Sequence, residues 1–295
     1  MMDDPYGASR PRPTREQYEA RRRVLYDIVE EQQPMNVRHA FYLATVRGLV
    51  LKTDKGVGNG YSRIQWDLTV MRKSGEMPYE WIEDGTREVT EPYTEPDIAT
   101  ALRRTAEGYR KSLWEEADCR VQIWIEKDGL TNVIYPVTGA RDVPVFPARG
   151  YSSLTFLHDA ASRIEAGDGL PHYIYHIGDS DPSGENAGEV IERTLREMAP
   201  DAEIFFERLA VTEEQIEAWN LPSRPTKSTD PRAARFGDRD SVELEAIEPN
   251  RLRAIVQEAI ERHQPPEEFA ALKALETRER ATLLNIVKKL TPKRR

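Results

Sequence analysis

The stretch YIYHIGDSDPSG, Tyr173 to Gly184, runs an apolar segment into two aspartates one residue apart, Asp179 and Asp181. Pro182, Ser183 and Gly184 then turn the chain. Two like charges at the end of a buried strand are costly unless a cation or an electrophile is expected there. Upstream, a second apolar run, RVQIWI, ends on Glu126. Three carboxylates at strand ends make a hard oxygen donor set, which suits Mg²⁺ or Mn²⁺ and not zinc. Such an ion neutralises charge on a phosphoryl transition state and orients the leaving oxygen. Asp-x-Asp ahead of Pro-x-Gly is also ordinary turn chemistry, because Asp favours turns, Pro fixes φ and Gly permits φ > 0. Glu126 on a matching strand separates the metal reading from the turn reading. A haloacid-dehalogenase-type phosphatase would want Thr or Val where Ser183 stands, and would not need Glu126.

The elements around these acids must place them. From Cys119 the chain reads as strand (RVQIWIEKDG), strand and loop (VPVFPARGYSS), helix (LTFLHDAASRIEAG), strand and loop (HYIYHIGDSDPSG), helix (ENAGEVIERTLREMA) and strand (AEIFFERLAV). Strands alternating with helices predict an α/β unit with a mainly parallel sheet flanked by helices. Sites in such sheets lie at the carboxyl ends of the strands, where Glu126, Asp179 and Asp181 all fall. The Pro-rich segment NLPSRPTKSTDPRAARFGDRDSVELEAIEP reads as a long surface or active-site loop carrying Lys227. A helix from Asn250 to about Arg262 and a charged C-terminal helix follow.

The N-terminal part reads differently. Helical spacing begins at Thr14 as N-cap and ends at Pro34; a second helix runs from Asn36 to Gly48. After the Gly-rich DKGVGNG, a third helix, YSRIQWDLTVMRKSG, places Ile64, Leu68 and Met71 on one face. MPYEWIEDGTREVTEP then reads as two short strands around an Asp84-Gly85 turn. Three short helices and a hairpin are the order of a winged helix-turn-helix. The expected divisions are a disordered lead-in over 1–14, a winged-helix DNA-binding domain over 15–93 and a connecting helix over 94–118. The α/β unit follows over 119–262, with a charged helix and tail over 263–295. Arg63, Arg72 and Lys73 around the third helix are the natural phosphate-backbone contacts of such a domain. Lys127 and Arg149 are candidate phosphate contacts in the α/β unit, and Ser152 and Ser153 candidate caps for the helix at Leu154. Trp66, Trp81 and Trp124 read as core, and His158, His172 and His263, which lack ligand spacing, as structural.

At 295 residues, 39% apolar and 32% charged, the composition is that of a globular protein. No apolar run approaches the roughly 20 residues of a membrane span, and MMDDPYGASRPRP lacks a signal-peptide apolar region, so a cytoplasmic location is expected. The single Cys119 excludes an intramolecular disulfide and a Cys-rich zinc site. The net charge of −9 is uneven. Met1 to Gly75 carries thirteen Lys/Arg against nine Asp/Glu, a basic part beside a strongly acidic remainder.

Glu126 at a strand end, the ARGYSS loop and GDSDPSG together resemble a Toprim domain, the metal-binding α/β unit of topoisomerases, bacterial primases and some nucleases. Placed after a winged helix, the order is similar to the DNA-cleaving chain of topoisomerase VI and its meiotic double-strand-break relatives, over roughly residues 20 to 262. That family cuts DNA with a tyrosine on a winged-helix-domain helix, following Arg, an acid and two hydrophobic or aromatic residues. Here RHAFY puts Arg38 and Tyr42 in matching places, with His39 where the acid stands and Phe41 where a first tyrosine often sits.

The resemblance implies that Tyr42 attacks the scissile phosphate to form a 5′-phosphotyrosyl bond, and that Arg38, one helical turn away, steadies the same phosphate. Catalysis would rest on Tyr42, Arg38 and Glu126, with Glu126, Asp179 and Asp181 holding Mg²⁺ or Mn²⁺. It also implies double-stranded DNA as partner, association with the nucleoid, and a homodimer in which the tyrosine of one protomer meets the metal of the other. No nucleotide-binding phosphate loop occurs in the sequence, since GVGNG lacks a following Lys-Ser/Thr; ATP-driven strand passage would need a separate ATPase subunit. Two alternatives stand beside this reading. One is a hydrolytic Toprim nuclease using metal-activated water; the other is a DNA-binding regulator with a vestigial Toprim fold.

Overall fold

The computed structural model describes residues 14–50, 60–83, 92–148, 152–226 and 232–290. The chain divides into two compact units, Met1–Glu83 and Asp84–Arg295.

Among its described residues the first unit holds three α-helices, α1 (Arg15–Gln32), α2 (Val37–Val46) and α3 (Gly60–Lys73). Thr14 caps α1 in a reciprocal capping box with Gln17, and Asn36 Oδ1 caps α2 by accepting the His39 N–H at 2.9 Å. Leu25, Ile28 and Val29 of α1 and Ile64, Leu68 and Met71 of α3 are buried around the α2 residues Ala40 to Ala44. Gly48, at φ +70°, turns the chain out of α2, a conformation that a side chain disfavours.

Where the first strand of the hairpin is expected, Tyr79–Trp81 forms a 3₁₀ turn behind Pro78 and Ile82 pairs in parallel with Met35. The Asp84-Gly85 turn and the chain to 91 lie outside the described residues. Trp66 is also a correction: it is 62% exposed. It sits two residues from both Ile64 and Leu68, and residues two apart on a helix do not share a face. Trp124 is fully buried, stacked on Phe146 at 4.7 Å, and Trp81 packs tilted against Tyr26 at 5.3 Å.

The second unit opens with α4 (Ile98–Glu107), which Asp97 caps and Gly108 ends. The expected connecting helix over 94–118 is therefore one short helix and an irregular lead into β1 (Arg120–Ile125). Then come α5 (Thr131–Thr138), β2 (Val145–Pro147), α6 (Leu154–Glu165), β3 (His172–Ile177), α7 (Pro182–Met198) and β4 (Ile204–Ala210). The strands form one parallel sheet in the order β2-β1-β3-β4.

Alternation along the strands divides the sheet's two faces. After β4 come α8 (Glu213–Trp219), the short α9 (Ala233–Phe236), a 3₁₀ turn at Leu244–Ala246 and α10 (Pro249–Glu261). Val121, Ile123 and Ile125 of β1 and Tyr175 and Ile177 of β3 join one apolar cluster with α5 and α10. Trp124, Ile174 and Ile204 join the other, with α6 and α7. Apolar residues on both faces are what a parallel sheet between two helical layers requires. The last helix, α11 (Pro266–Leu290), packs on the α4 region: the Tyr109 hydroxyl donates to Glu279 at 2.6 Å, and buried Glu276 accepts the Lys111 N–H at 3.1 Å. It belongs to the second unit.

Candidate functional site

β1 and β3 are neighbours in register, with Ile125 opposite Ile177, so Glu126 and the Gly178-Asp179 step leave the sheet at one level. Glu126 Oε2 accepts the Asp179 N–H at 2.8 Å, which ties the two strand ends together. Burial, and then the charge of Asp179, push the Glu126 carboxyl up to about 7 against the opposing help of that N–H.

Two glycines permit this approach. A Cβ on Gly184 would collide with the Asp179 carbonyl oxygen and stand 2.8 Å from Glu126 Oε2. A Cβ on Gly178 would meet Glu126 Oε2 and the His176 ring, each at 2.8 Å. Gly→Ala within a helix ordinarily stabilises by up to about 1 kcal/mol. Gly184→Ala is expected to reverse that sign and cost about 1–3 kcal/mol by overpacking. Urea unfolding of the full chain checks it, and a variant as stable as the parent would contradict this geometry.

Asp181 is the N-cap of α7. Its Oδ1 accepts the Ser183 N–H at 2.9 Å, the Ser183 hydroxyl at 2.7 Å and the Gly184 N–H at 2.8 Å. The turn chemistry that competes with the metal reading is thus present, and it uses one oxygen of the carboxylate. Asp179 is 7% exposed. Its Oδ1 accepts the Leu244 N–H at 2.8 Å and faces Lys127 Nζ at 2.8 Å.

Lys127 also pairs with Glu245 and stands 3.8 Å from Glu243. Burial works against its charge, but Glu245 and Asp179 outweigh it and hold its pKa above the usual lysine value. Both glutamates come from the irregular stretch after α9, which pairs back onto the site: Ser180 bridges Val242 antiparallel, and Arg224 bridges Ser241. Arg224 in turn approaches Glu243 at 3.4 Å.

From β4, Arg208 donates to the carbonyls of Gly178 at 3.0 Å, Asp179 at 2.5 Å and Val211 at 3.1 Å. It therefore clamps the backbone that carries the aspartates. Beneath Gly178, His176 is 1% exposed. Neither of its ring nitrogens has a hydrogen-bond partner among the described residues. Burial, and then Arg208, bring its pKa down to about 3, so it is a neutral ring at physiological pH.

Glu126 and Asp179 thus meet at the carboxyl ends of β1 and β3, with Asp181 two residues on. Lys127, the candidate phosphate contact, pairs with Asp179 and Glu245 and supplies these buried acids with a counter-charge. Ser153 caps α6 as expected, accepting the Phe156 N–H at 3.2 Å. Arg149 and Lys227 lie outside the described residues. His172 and His263 are packed, the latter 2.7 Å from the Tyr175 hydroxyl, whereas His158 is exposed on α6. In the first unit, Arg63 and Lys73 are exposed on α3, and Arg72 folds back to the Leu68 carbonyl at 3.2 Å. Tyr42 is 3% exposed and meets Phe41 edge-on at 5.6 Å, while Arg38 is exposed one turn earlier. Arg208, Glu243, Glu245 and Arg224 are site neighbours that no local sequence signal singles out.

Among the described residues, no group of three or more His, Cys, Asp or Glu side chains is gathered as a ready metal-ligand cluster. Each acid is held instead by a protein donor: a backbone N–H, a helix N-terminus or Lys127. The donor chemistry still fits a hard divalent cation. Glu126 and Asp179 stand side by side at the strand ends, and repulsion from Asp179 contributes to the raised Glu126 pKa, a crowding that a cation relieves. No helix among the described residues is long and apolar enough to cross a membrane. No protein-family model, curated protein or solved structure matches this chain.

Proposed function

We propose that this protein is a metal-dependent DNA-cleaving enzyme, with a winged-helix unit that presents DNA to a Toprim-type acid site. The observation that carries the reading is the meeting of Glu126 and Asp179 at the carboxyl ends of two adjacent central strands, with Asp181 two residues on as the cap of α7. These three residues would hold Mg²⁺ or Mn²⁺, which when bound stabilises negative charge on a transferring phosphoryl group. Glu126, with a carboxyl that titrates near neutrality, is suited to take the proton of the attacking hydroxyl. Arg208 keeps the aspartate backbone in place, and Lys127 screens the acids from one another. By the resemblance to the DNA-cleaving chain of topoisomerase VI, Tyr42 supplies the nucleophile and Arg38 contacts the phosphate. That assignment carries a homodimer, a separate ATPase subunit for strand passage and a place at the nucleoid.

A second reading has a specific observation in its favour. The Tyr42 ring is packed in the core of its unit, so water activated at the acid site would serve as nucleophile without uncovering it. Trapping under single-turnover conditions separates the two. The transesterase reading expects protein covalently joined to a DNA 5′ end, and no cleavage by Tyr42→Phe. Full cleavage by Tyr42→Phe, with no covalent adduct, assigns the reaction to water.

A further inference from the structure

The first unit carries a cleft of about 620 Å³ between α1 and α3, remote in sequence from the acids. Two arginines of α1 that line it, Arg21 and Arg22, are held at once by Asp67 of α3, which is fully buried. Arg21 Nε donates to Asp67 Oδ2 at 2.6 Å, and Arg22 Nε donates to Oδ1 at 3.1 Å. Both bonds use Nε, so the terminal amino groups of each guanidinium are left out of the pairing. Arg21 is further steadied over the Tyr18 ring at 5.0 Å. A buried carboxylate that fixes two arginines by their inner nitrogens makes a pre-organised anion site, because ordering is completed before any ligand arrives.

Arg63 and Trp66 line the same cleft from α3. Arg63 is exposed, and the buried Asp67 carboxylate is taken up by Arg21 and Arg22 instead. The Trp66 indole is 62% exposed, a large apolar surface with no role in the core of this unit. An open aromatic face beside fixed cations matches a base stacked on a ring with its phosphates on arginine. Bases in an intact duplex offer no free face, so the matching ligand is an unpaired strand. The basic N-terminal part of an otherwise acidic chain fits the same ligand.

We infer that the α1–α3 cleft binds single-stranded nucleic acid, with a base stacked on Trp66 and the adjacent phosphates on Arg21, Arg22 and Arg63. This inference goes beyond duplex binding by a winged helix, and it holds whether or not the acids of the second unit take a metal. The test uses the full chain in EDTA, so that no cleavage intervenes, with fluorescence anisotropy of a labelled oligo-dT as the readout. Trp66→Ala is expected to weaken binding about tenfold or more, the usual effect of removing one stacking platform. Arg63→Ala is expected to weaken it and to lower the slope of log affinity against log salt by about 0.7, the value for one single-strand phosphate contact. Both side chains are exposed, so neither variant should unfold; unchanged melting temperatures confirm that.

Three outcomes would overturn the inference. The first is parent-like oligo-dT binding by Trp66→Ala, and the second is undiminished binding of an abasic strand of equal length. The third is displacement of the strand by a phosphopeptide at lower concentration than by unlabelled oligo-dT. Failure here with intact Mg²⁺-dependent cleavage leaves the proposed function standing, and binding here without cleavage does the reverse.

Discussion

Asp179→Asn is expected to keep the fold and to lose Mg²⁺-dependent DNA cleavage by about 10²–10³-fold, the rate equivalent of several kcal/mol of transition-state stabilisation from a well-held metal. The asparagine retains an Oδ1 acceptor for the Leu244 N–H, so the returning 242–246 segment keeps its anchor. What disappears is the negative charge, and with it a metal ligand. Lys127 still has Glu245 as a partner and so is not stranded. Asp179→Ala removes both functions: the activity falls as far, and the buried Leu244 N–H loses its acceptor at about 1–3 kcal/mol of stability. Comparing cleavage rates and urea midpoints of the two variants separates the chemistry from the scaffold. Equal cleavage by Asp179→Asn and the parent would remove this carboxylate from the site.

Asp67→Ala is expected to produce the largest loss of stability, about 3 kcal/mol, the lower end of the range for breaking a buried ion pair. The lower end applies because the two arginines retain some solvent: Arg21 is 10% exposed and Arg22 24%, whereas Asp67 is fully buried. Truncation leaves two α1 cations facing the void where the α3 carboxylate stood. Asp67→Asn should recover part of the loss, since one amide oxygen can still accept from one Nε. Thermal unfolding of the full chain followed by circular dichroism checks both. An Asp67→Ala protein that melts with the parent would show that the pair contributes nothing to holding the helices together.

Much of this architecture is legible in the sequence because period and punctuation agree. Thr14, Asn36, Ser153 and the residues after them announce their helices through capping chemistry that the structure repeats atom by atom. The parallel sheet follows from apolar runs separated by helical stretches, and the acids fall at its carboxyl edge. Other features have no local signature. α5 carries Pro136 and ends at Gly139, two breakers that hide a helix of eight residues. The segment around Glu243 and Glu245 reads as solvated acids, yet both are buried, because Lys127 and Arg224 arrive from distant parts of the chain. Arg208 reads as a surface charge on an alternating strand. Its role comes from three carbonyls that only the folded chain presents, beside the register shift between His176 and Ile177 in the β3–β4 pairing. The Asp-x-Asp motif is the most informative stretch and also the most ambiguous. Asp181 is a helix cap, and its claim to a metal depends on Glu126 and Asp179 standing beside it.

The most direct test is cleavage of supercoiled plasmid by the full chain over a Mg²⁺ titration, with and without proteinase before the gel, beside Asp179→Asn. The account predicts nicked or linear product that appears with Mg²⁺, vanishes in EDTA and is lost in the variant. Salt-sensitive DNA binding by the parent with no cleavage at any Mg²⁺ or Mn²⁺ concentration would contradict it, and would make the acids a scaffold for a DNA-binding regulator.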